Sequence, residues 1–134
     1  MSNTGYALTG FVSWALFLLL MMEGIRTYLV VTGRVAANGF TPDNSGLSPF
    51  MQRLARAHAN CIEGLPIFGG FLAIAIMTSR TVITDPLAWW FLGARIIQSI
   101  IHLVSTSPIA VSLRFTAFAV QLGIAVYWSW KLLA

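Results

Sequence analysis

The sequence is poor in charge and in cysteine. Only 9% of its 134 residues are charged, whereas a soluble domain carries about 25%. Hydrophobic residues make up 57% of the chain, and the mean hydropathy is +0.79. This balance excludes a water-soluble domain. The single cysteine, Cys61, excludes an internal disulfide, and its apolar neighbours favour a small packing residue.

Several functional classes lack the residues that they require. The net charge is +4, but the arginines are dispersed, so no basic run indicates nucleic-acid binding. Two histidines and one cysteine, on different faces or spans, offer no metal-ligand spacing. No strand precedes a glycine-rich phosphate loop, and no serine has a recognisable base and acid. We therefore expect no metal and no nucleic-acid partner.

Long apolar runs are what the chain has. Four of them can cross a hydrocarbon core, which takes about 20 helical residues; they cover residues 8–31, 50–77, 87–104 and 109–133. The first has neither a basic N-terminal region nor a cleavage site, which favours a retained span over a signal peptide. We predict one domain over residues 1–134, an all-α membrane protein with four transmembrane helices in an up-down bundle.

Two prolines predict local features of these helices. Pro66 lies inside the second span, where it removes a backbone donor and clashes one turn back, so we expect a kink. Pro86 follows the short polar link of residues 78–85, and we expect it in the first turn of the third helix.

The second span opens with a stripe of polar side chains. At about 100° per residue, Arg56, Asn60 and Glu63 share one helical face, whereas His58 lies on the far side. Charged groups are costly inside a bilayer and need partners, so such a stripe is a functional-site hypothesis by default. The alternative is an ion pair at a helix end that only anchors the membrane interface.

The third and fourth spans carry similar groups toward the same membrane face. Arg95, Gln98 and His102 form a stripe on the third span, and Arg114 lies near the start of the fourth. One small four-helix bundle has too little interior to bury so many polar groups away from lipid. We therefore expect the protein to oligomerise and to bury them between subunits.

In the first span, Glu23 and Arg26 lie three residues apart on one helical face. They either form a self-neutralising pair that sets packing or take part in the site.

Basic residues near the span ends predict the orientation. Four lie at one membrane face, namely Arg34, Arg53, Arg56 and Arg114, and two lie at the other, namely Arg80 and Lys131. The positive-inside rule places the long first loop in the cytoplasm and both termini outside. An aromatic belt on the outer face agrees with this orientation: Trp89, Trp90, Trp128 and Trp130. Short loops and the lack of a retention signal favour a bacterial inner membrane.

Arg56-Ala57-His58, followed by Asn60, Glu63 and Pro66, resembles the signature of the MAPEG family, the membrane-associated proteins of eicosanoid and glutathione metabolism. Gly93-Ala94-Arg95 in the third span is a second match, and the resemblance covers nearly the whole chain. It implies a protein similar to the microsomal glutathione transferases. It also implies a homotrimer with three glutathione sites at the subunit interfaces.

The resemblance implies which residues bind glutathione, the co-substrate. Arginines hold carboxylates through bidentate bonds, and a glutamate takes the ammonium. The residues that match family positions contacting or orienting glutathione are Arg56, Asn60, Glu63 and Arg114. Arg34 is a looser match to a basic residue that the neighbouring subunit contributes. Arg95 matches a family arginine that is either structural or ligand-binding, and we group it and Gln98 with the binding residues.

The implied chemistry is attack by a glutathione thiolate on a lipophilic small molecule that arrives from the membrane lipid. A thiol with a pKa of about 8.5 is mostly protonated at neutral pH, so a nearby cation must stabilise the thiolate. Arg114 is the first candidate for that cation, the alternative being a topology anchor. His102 is a second catalytic candidate that orients a ligand or takes a proton, unless it only packs.

Three positions depart from the family pattern. His102 replaces a common tyrosine, Ala59 replaces an arginine that often precedes the signature asparagine, and Phe118 stands where some members carry tyrosine. These departures argue against a dedicated leukotriene or prostaglandin synthase. Three functions stay open: a glutathione-dependent transferase or peroxidase, a ligand-binding protein of this fold that catalyses little, and a structural membrane subunit.

Overall fold

The structure, a computed structural model, describes all 134 residues and contains no strands. Four helices are long and apolar enough to cross a membrane: α1 Asn3–Val31, α2 Pro49–Met77, α3 Thr81–Val104 and α4 Pro108–Leu133. The predicted all-α, four-span architecture is therefore confirmed. Only 31 residues are buried, because most apolar side chains point outward, as they do toward lipid. The chain is an integral, multi-pass membrane protein.

Serine side chains cap three of the four helices. Ser2, Ser48 and Ser107 each accept a hydrogen bond from the backbone N–H three residues further on. α2 and α4 then begin with a proline, whose missing N–H would have no helical partner at that position. Local sequence thus defines where these helices start.

Contacts between helix ends show that the helices alternate in direction. We call the end of the bundle that holds both chain termini the terminal face, and the end that holds residues 32–48 the loop face. At the terminal face, Arg80 donates to the Leu132 carbonyl at 2.7 Å. At the loop face, Arg53 Nε donates to the Leu103 carbonyl at 2.8 Å. Each arginine meets the negative end of a neighbouring helix dipole, which stabilises the arrangement.

α3 begins earlier than the sequence predicts. It starts at Thr81, so Pro86 lies inside the helix rather than in its first turn. The proline removes only one intrahelical bond, to the Val82 carbonyl. Contacts with α1 hold the additional turn, because the Thr4 N–H and hydroxyl both donate to Asp85 Oδ1, at 2.8 and 2.6 Å.

The irregularity expected at Pro66 is a π-helical turn, Leu65–Gly69, within α2. A wider turn accommodates a proline ring that lacks an N–H and would clash with the preceding turn, and such turns are frequent at functional sites. It separates α-helical Pro49–Gly64, which carries the polar stripe, from the apolar α-helical segment Gly70–Met77.

An aromatic core joins all four helices. Phe91 packs against Phe11, Phe68 and Trp128, with ring centroids 5.6, 5.2 and 5.7 Å apart. Trp128 is fully buried, so it cannot belong to the lipid-facing belt in which the sequence analysis places it. The other three tryptophans of the expected belt are exposed: Trp89, Trp90 and Trp130.

Arg26 fixes the first loop on α1. Its guanidinium pairs with Glu23 at 2.9 Å and donates to Asn44 Oδ1 at 3.0 Å and to the Thr41 carbonyl at 3.1 Å. Asn44 is buried with a φ of 57°, a left-handed conformation that asparagine tolerates, and it donates to the Met51 carbonyl at 2.7 Å. Glu23 and Arg26 therefore pair, and the pair positions the loop.

We expect Asp85→Ala to lower the free energy of unfolding by about 1 kcal/mol, because the first turn of α1 loses its acceptor. Unfolding is measured by heating the purified protein in detergent. The buried Cys61 thiol becomes exposed on unfolding and then reacts with a fluorogenic maleimide. Asn3→Ala, which removes an exposed side chain from the same turn, is the matched control. An unchanged unfolding transition in Asp85→Ala would contradict a stabilising role of its hydrogen bonds with Thr4.

Candidate functional site

A cavity of about 340 Å³ lies between α2, α3 and α4. Its polar lining comes from three spans and consists of Asn60, Glu63, Arg95, Gln98 and Arg114. Apolar side chains form most of the remaining wall: Ile67, Phe68, Val111, Phe115, Phe118 and Leu122. The volume is at the lower end of the range of about 300–1,000 Å³ that is usual for small-molecule pockets. Five of the eight site residues expected from the sequence therefore meet in one place.

Arg95 is a buried cation without a counter-charge. Its side chain is only 1% exposed, and its guanidinium carbon lies over the rings of Phe11 and Phe68, 5.4 Å from each centroid. Nη1 donates to the Asn60 backbone carbonyl at 3.5 Å, whereas Nε and Nη2 have no protein partner. No carboxylate lies within ion-pair distance. Because an unpaired buried charge is costly, a negative group in the cavity would be stabilised by Arg95.

Gly64 allows the close approach of Arg95. It lines the cavity directly before the π-helical turn, and a Cβ atom there would lie 2.8 Å from Arg95 Nη2 and 3.1 Å from the Phe68 ring. Any larger residue would displace the guanidinium. Gly64 is not among the site residues predicted from the sequence. Its position directly after Glu63 of the signature is the feature that could have indicated it.

A second glutamine supports Gln98. Gln121 of α4 is fully buried, and its Nε2 donates to Gln98 Oε1 at 2.8 Å and to the Ala117 carbonyl at 3.1 Å. This bond occupies the Gln98 oxygen and leaves its amide NH₂ available to a ligand. Gln121 is a supporting residue that the sequence analysis does not assign to the site.

His102 lies behind the cavity rather than in its lining. It is 3% exposed, and Asn60 Nδ2 donates to His102 Nδ1 at 3.3 Å. That bond requires the ring proton to be on Nε2, for which the chain offers no acceptor. In this position His102 can orient Asn60, but it does not face a ligand in the cavity.

Arg56 and Arg34 also lie outside the cavity of the single chain. Arg56 is exposed and opens, together with Arg53, onto a separate polar pocket of about 180 Å³ at the loop face. Arg34 is exposed after α1, with its guanidinium 5.7 Å from the Tyr28 ring centroid. Contact of either arginine with glutathione stays a prediction for the assembled protein, and for Arg34 the sequence analysis places that contact across a subunit boundary.

A comparison with family sequence models matches residues 5–134, nearly the whole chain, to the MAPEG family. The chain belongs to the MAPEG family. Neither the curated proteins nor the solved structures contain a match to it. Membership in MAPEG is consistent with roles in glutathione or eicosanoid metabolism.

This MAPEG chain also has a groove of about 600 Å³ between α1, α2 and the first loop. Glu63 lines both the cavity and the groove, so its carboxylate lies at the boundary between them. His58 lines only the groove, on the far side of α2 from the cavity, as the helical spacing predicts. Glu23 and Arg26 also line the groove, so their pair stands apart from the cavity.

We expect Gln121→Leu to lower the free energy of unfolding by about 1 kcal/mol, because Gln98 Oε1 loses its buried donor. The double variant Gln98→Leu/Gln121→Leu should cost less than the sum of the single variants, since it leaves no unpaired partner. Thermal unfolding, followed through Cys61 labelling, is measured for the two single variants and the double variant. Strictly additive effects would contradict an energetic coupling between the two glutamines.

Proposed function

We propose that this protein is a glutathione-dependent transferase or peroxidase, similar to the microsomal glutathione transferases, that acts on lipophilic electrophiles within the membrane. The observation that carries the proposal is the cavity in which two arginines, a glutamate and two amides face an apolar wall. Glutathione offers groups of the complementary kind: two carboxylates, an ammonium, two peptide units and a thiol.

The charges of the cavity suit this tripeptide. Arg95 and Arg114 suit its anionic groups, because guanidinium forms charge-assisted, bidentate bonds with carboxylates. Glu63 has no cationic partner in the chain and is free to take the ammonium. Asn60 and Gln98 suit the peptide units. Arg56 extends the positive charge toward the loop face, where a longer ligand would emerge.

Arg114 is the residue that we assign to the thiolate. It lies partly buried on α4, on the same helix as the apolar side chains Val111, Phe115 and Phe118. A thiolate beside it would face an electrophile entering from lipid. The sulfur then forms a bond to the electrophilic carbon, and the leaving group departs with its electron pair. With a hydroperoxide, the thiolate attacks the terminal oxygen, the O–O bond breaks, and the alkoxide leaves and is protonated to the alcohol. A second glutathione thiol then attacks the sulfenic acid, which forms the disulfide and releases water. We assign His102 the role of positioning Asn60.

We further propose a homotrimer with one glutathione site at each subunit interface, near the cytoplasmic side of a bacterial inner membrane. Glu63 and Arg56 are exposed in the single chain at membrane-spanning α2, where contact with another subunit would shield them from lipid. Arg34 is likewise exposed and available to a neighbour. The positive-inside rule supports a cytoplasmic loop face.

One observation favours a second function, a protein that binds glutathione or a lipid-like ligand and catalyses little. The cavity lining contains no hydroxyl group, since its aromatic side chains are Phe68, Phe115 and Phe118. His102 lies behind Asn60 instead of in the lining. Activation of the thiol would therefore depend on the arginines alone.

Adding glutathione to the purified protein in detergent should produce the ultraviolet difference absorbance of a thiolate. Arg114→Ala should abolish this signal, because the cation next to the sulfur is removed. Lys131→Ala removes an exposed cation at the terminal face and should leave the signal unchanged. Saturable glutathione binding without a thiolate signal in the wild-type protein would favour the second function. The absence of binding would contradict both functions.

A further inference from the structure

The charges that line the cavity do not balance. Arg95 and Arg114 contribute two positive charges, and Glu63 contributes one negative charge. Glu63 is exposed, whereas Arg95 is almost fully buried and has two guanidinium nitrogens without a partner. Within a low-dielectric interior an uncompensated cation is costly, and an anion in the same cavity would offset that cost. The chain itself provides no carboxylate close enough to do so.

The surroundings of Arg95 select the kind of anion. The ring centroids of Phe11 and Phe68 each lie 5.4 Å from the guanidinium carbon, and Gly64 lies beside Nη2, so the environment of the cation is largely apolar. Gln98 lines the same cavity and has a free amide NH₂, because its oxygen already accepts a hydrogen bond from Gln121. The guanidinium of Arg95 is a weakly hydrated cation. Together with the Gln98 amide and the neighbouring phenylalanine rings, it suits a small, weakly hydrated monovalent anion.

We propose that the floor of the cavity, lined by Arg95, Gln98 and Arg114, is a binding site for a small monovalent anion such as chloride or bromide. The anion neutralises Arg95 in the absence of a larger ligand. Gly64 is a positioning residue of this site, because a side chain at its position would displace the guanidinium. Anion binding itself does not depend on the proposed function. Competition between the anion and glutathione does rest on it.

The test compares sodium bromide with sodium fluoride at equal ionic strength, without glutathione, in the Cys61-labelling unfolding assay. A ligand that binds only the folded state raises its apparent stability in a concentration-dependent manner. Bromide, which is weakly hydrated, should therefore raise the unfolding temperature more than fluoride. Arg95→Gln should abolish the difference. Lys131→Gln, which removes an exposed cation far from the cavity, should retain it in full.

Gly64→Ala provides a second variant in case Arg95→Gln does not fold. It keeps every charge but displaces the guanidinium, so we expect bromide affinity to fall about tenfold, as for one lost charged hydrogen bond. Equal effects of bromide and fluoride on the wild-type protein would overturn the proposal. A bromide effect that survives both variants would overturn it as well.

Glutathione binding separates this proposal from the proposed function. If both are correct, bromide should raise the apparent Kd of glutathione without changing the number of sites. Glutathione binding that bromide does not affect would overturn the anion site but leave the transferase proposal intact. Bromide stabilisation through Arg95 in a protein that binds no glutathione would leave the anion site standing and remove the transferase proposal.

Discussion

The structure depends on one constraint, that a cation within the membrane or at its faces must have a partner. The arginines meet this constraint in two ways. Three arginines are bonded to the protein and hold it together: Arg26 to the first loop and Glu23, Arg53 to the end of α3, and Arg80 to the end of α4. Arg95 and Arg114 face the cavity without an acidic partner. The difference separates arginines that stabilise the fold from arginines to which we assign a ligand.

The π-helical turn in α2 connects this constraint to the cavity. Gly64, directly before the turn, lies beside Arg95 Nη2, and Phe68, within the turn, has its ring centroid 5.4 Å from the guanidinium carbon. On one side of the turn α2 is polar and lines the cavity and the groove, and on the other side it is apolar. The turn around Pro66 thus separates the polar segment of α2, which contributes Asn60 and Glu63 to the cavity lining, from the apolar segment.

Much of the fold and part of the site could be predicted from the sequence. Apolar length and helical spacing are local properties, so the four spans and the polar lining contributed by Asn60, Glu63, Arg95, Gln98 and Arg114 follow from them. Positions that depend on contacts between helices do not. The burial of Trp128, the place of His102 behind Asn60 and the early start of α3, which Thr4 and Asp85 stabilise, are set by neighbouring helices. The role of Gly64 does not follow from helical spacing, because it depends on the guanidinium that a side chain at this position would displace.

Our central proposal is that side chains from three spans converge to hold a small anionic tripeptide. A structure of the protein determined in lipid with saturating glutathione tests it most directly. We expect glutathione in the cavity between α2, α3 and α4, with its anionic groups on Arg95 and Arg114 and its ammonium toward Glu63. A monomer whose cavity holds only an acyl chain, or glutathione bound elsewhere with these side chains turned apart, would contradict the account.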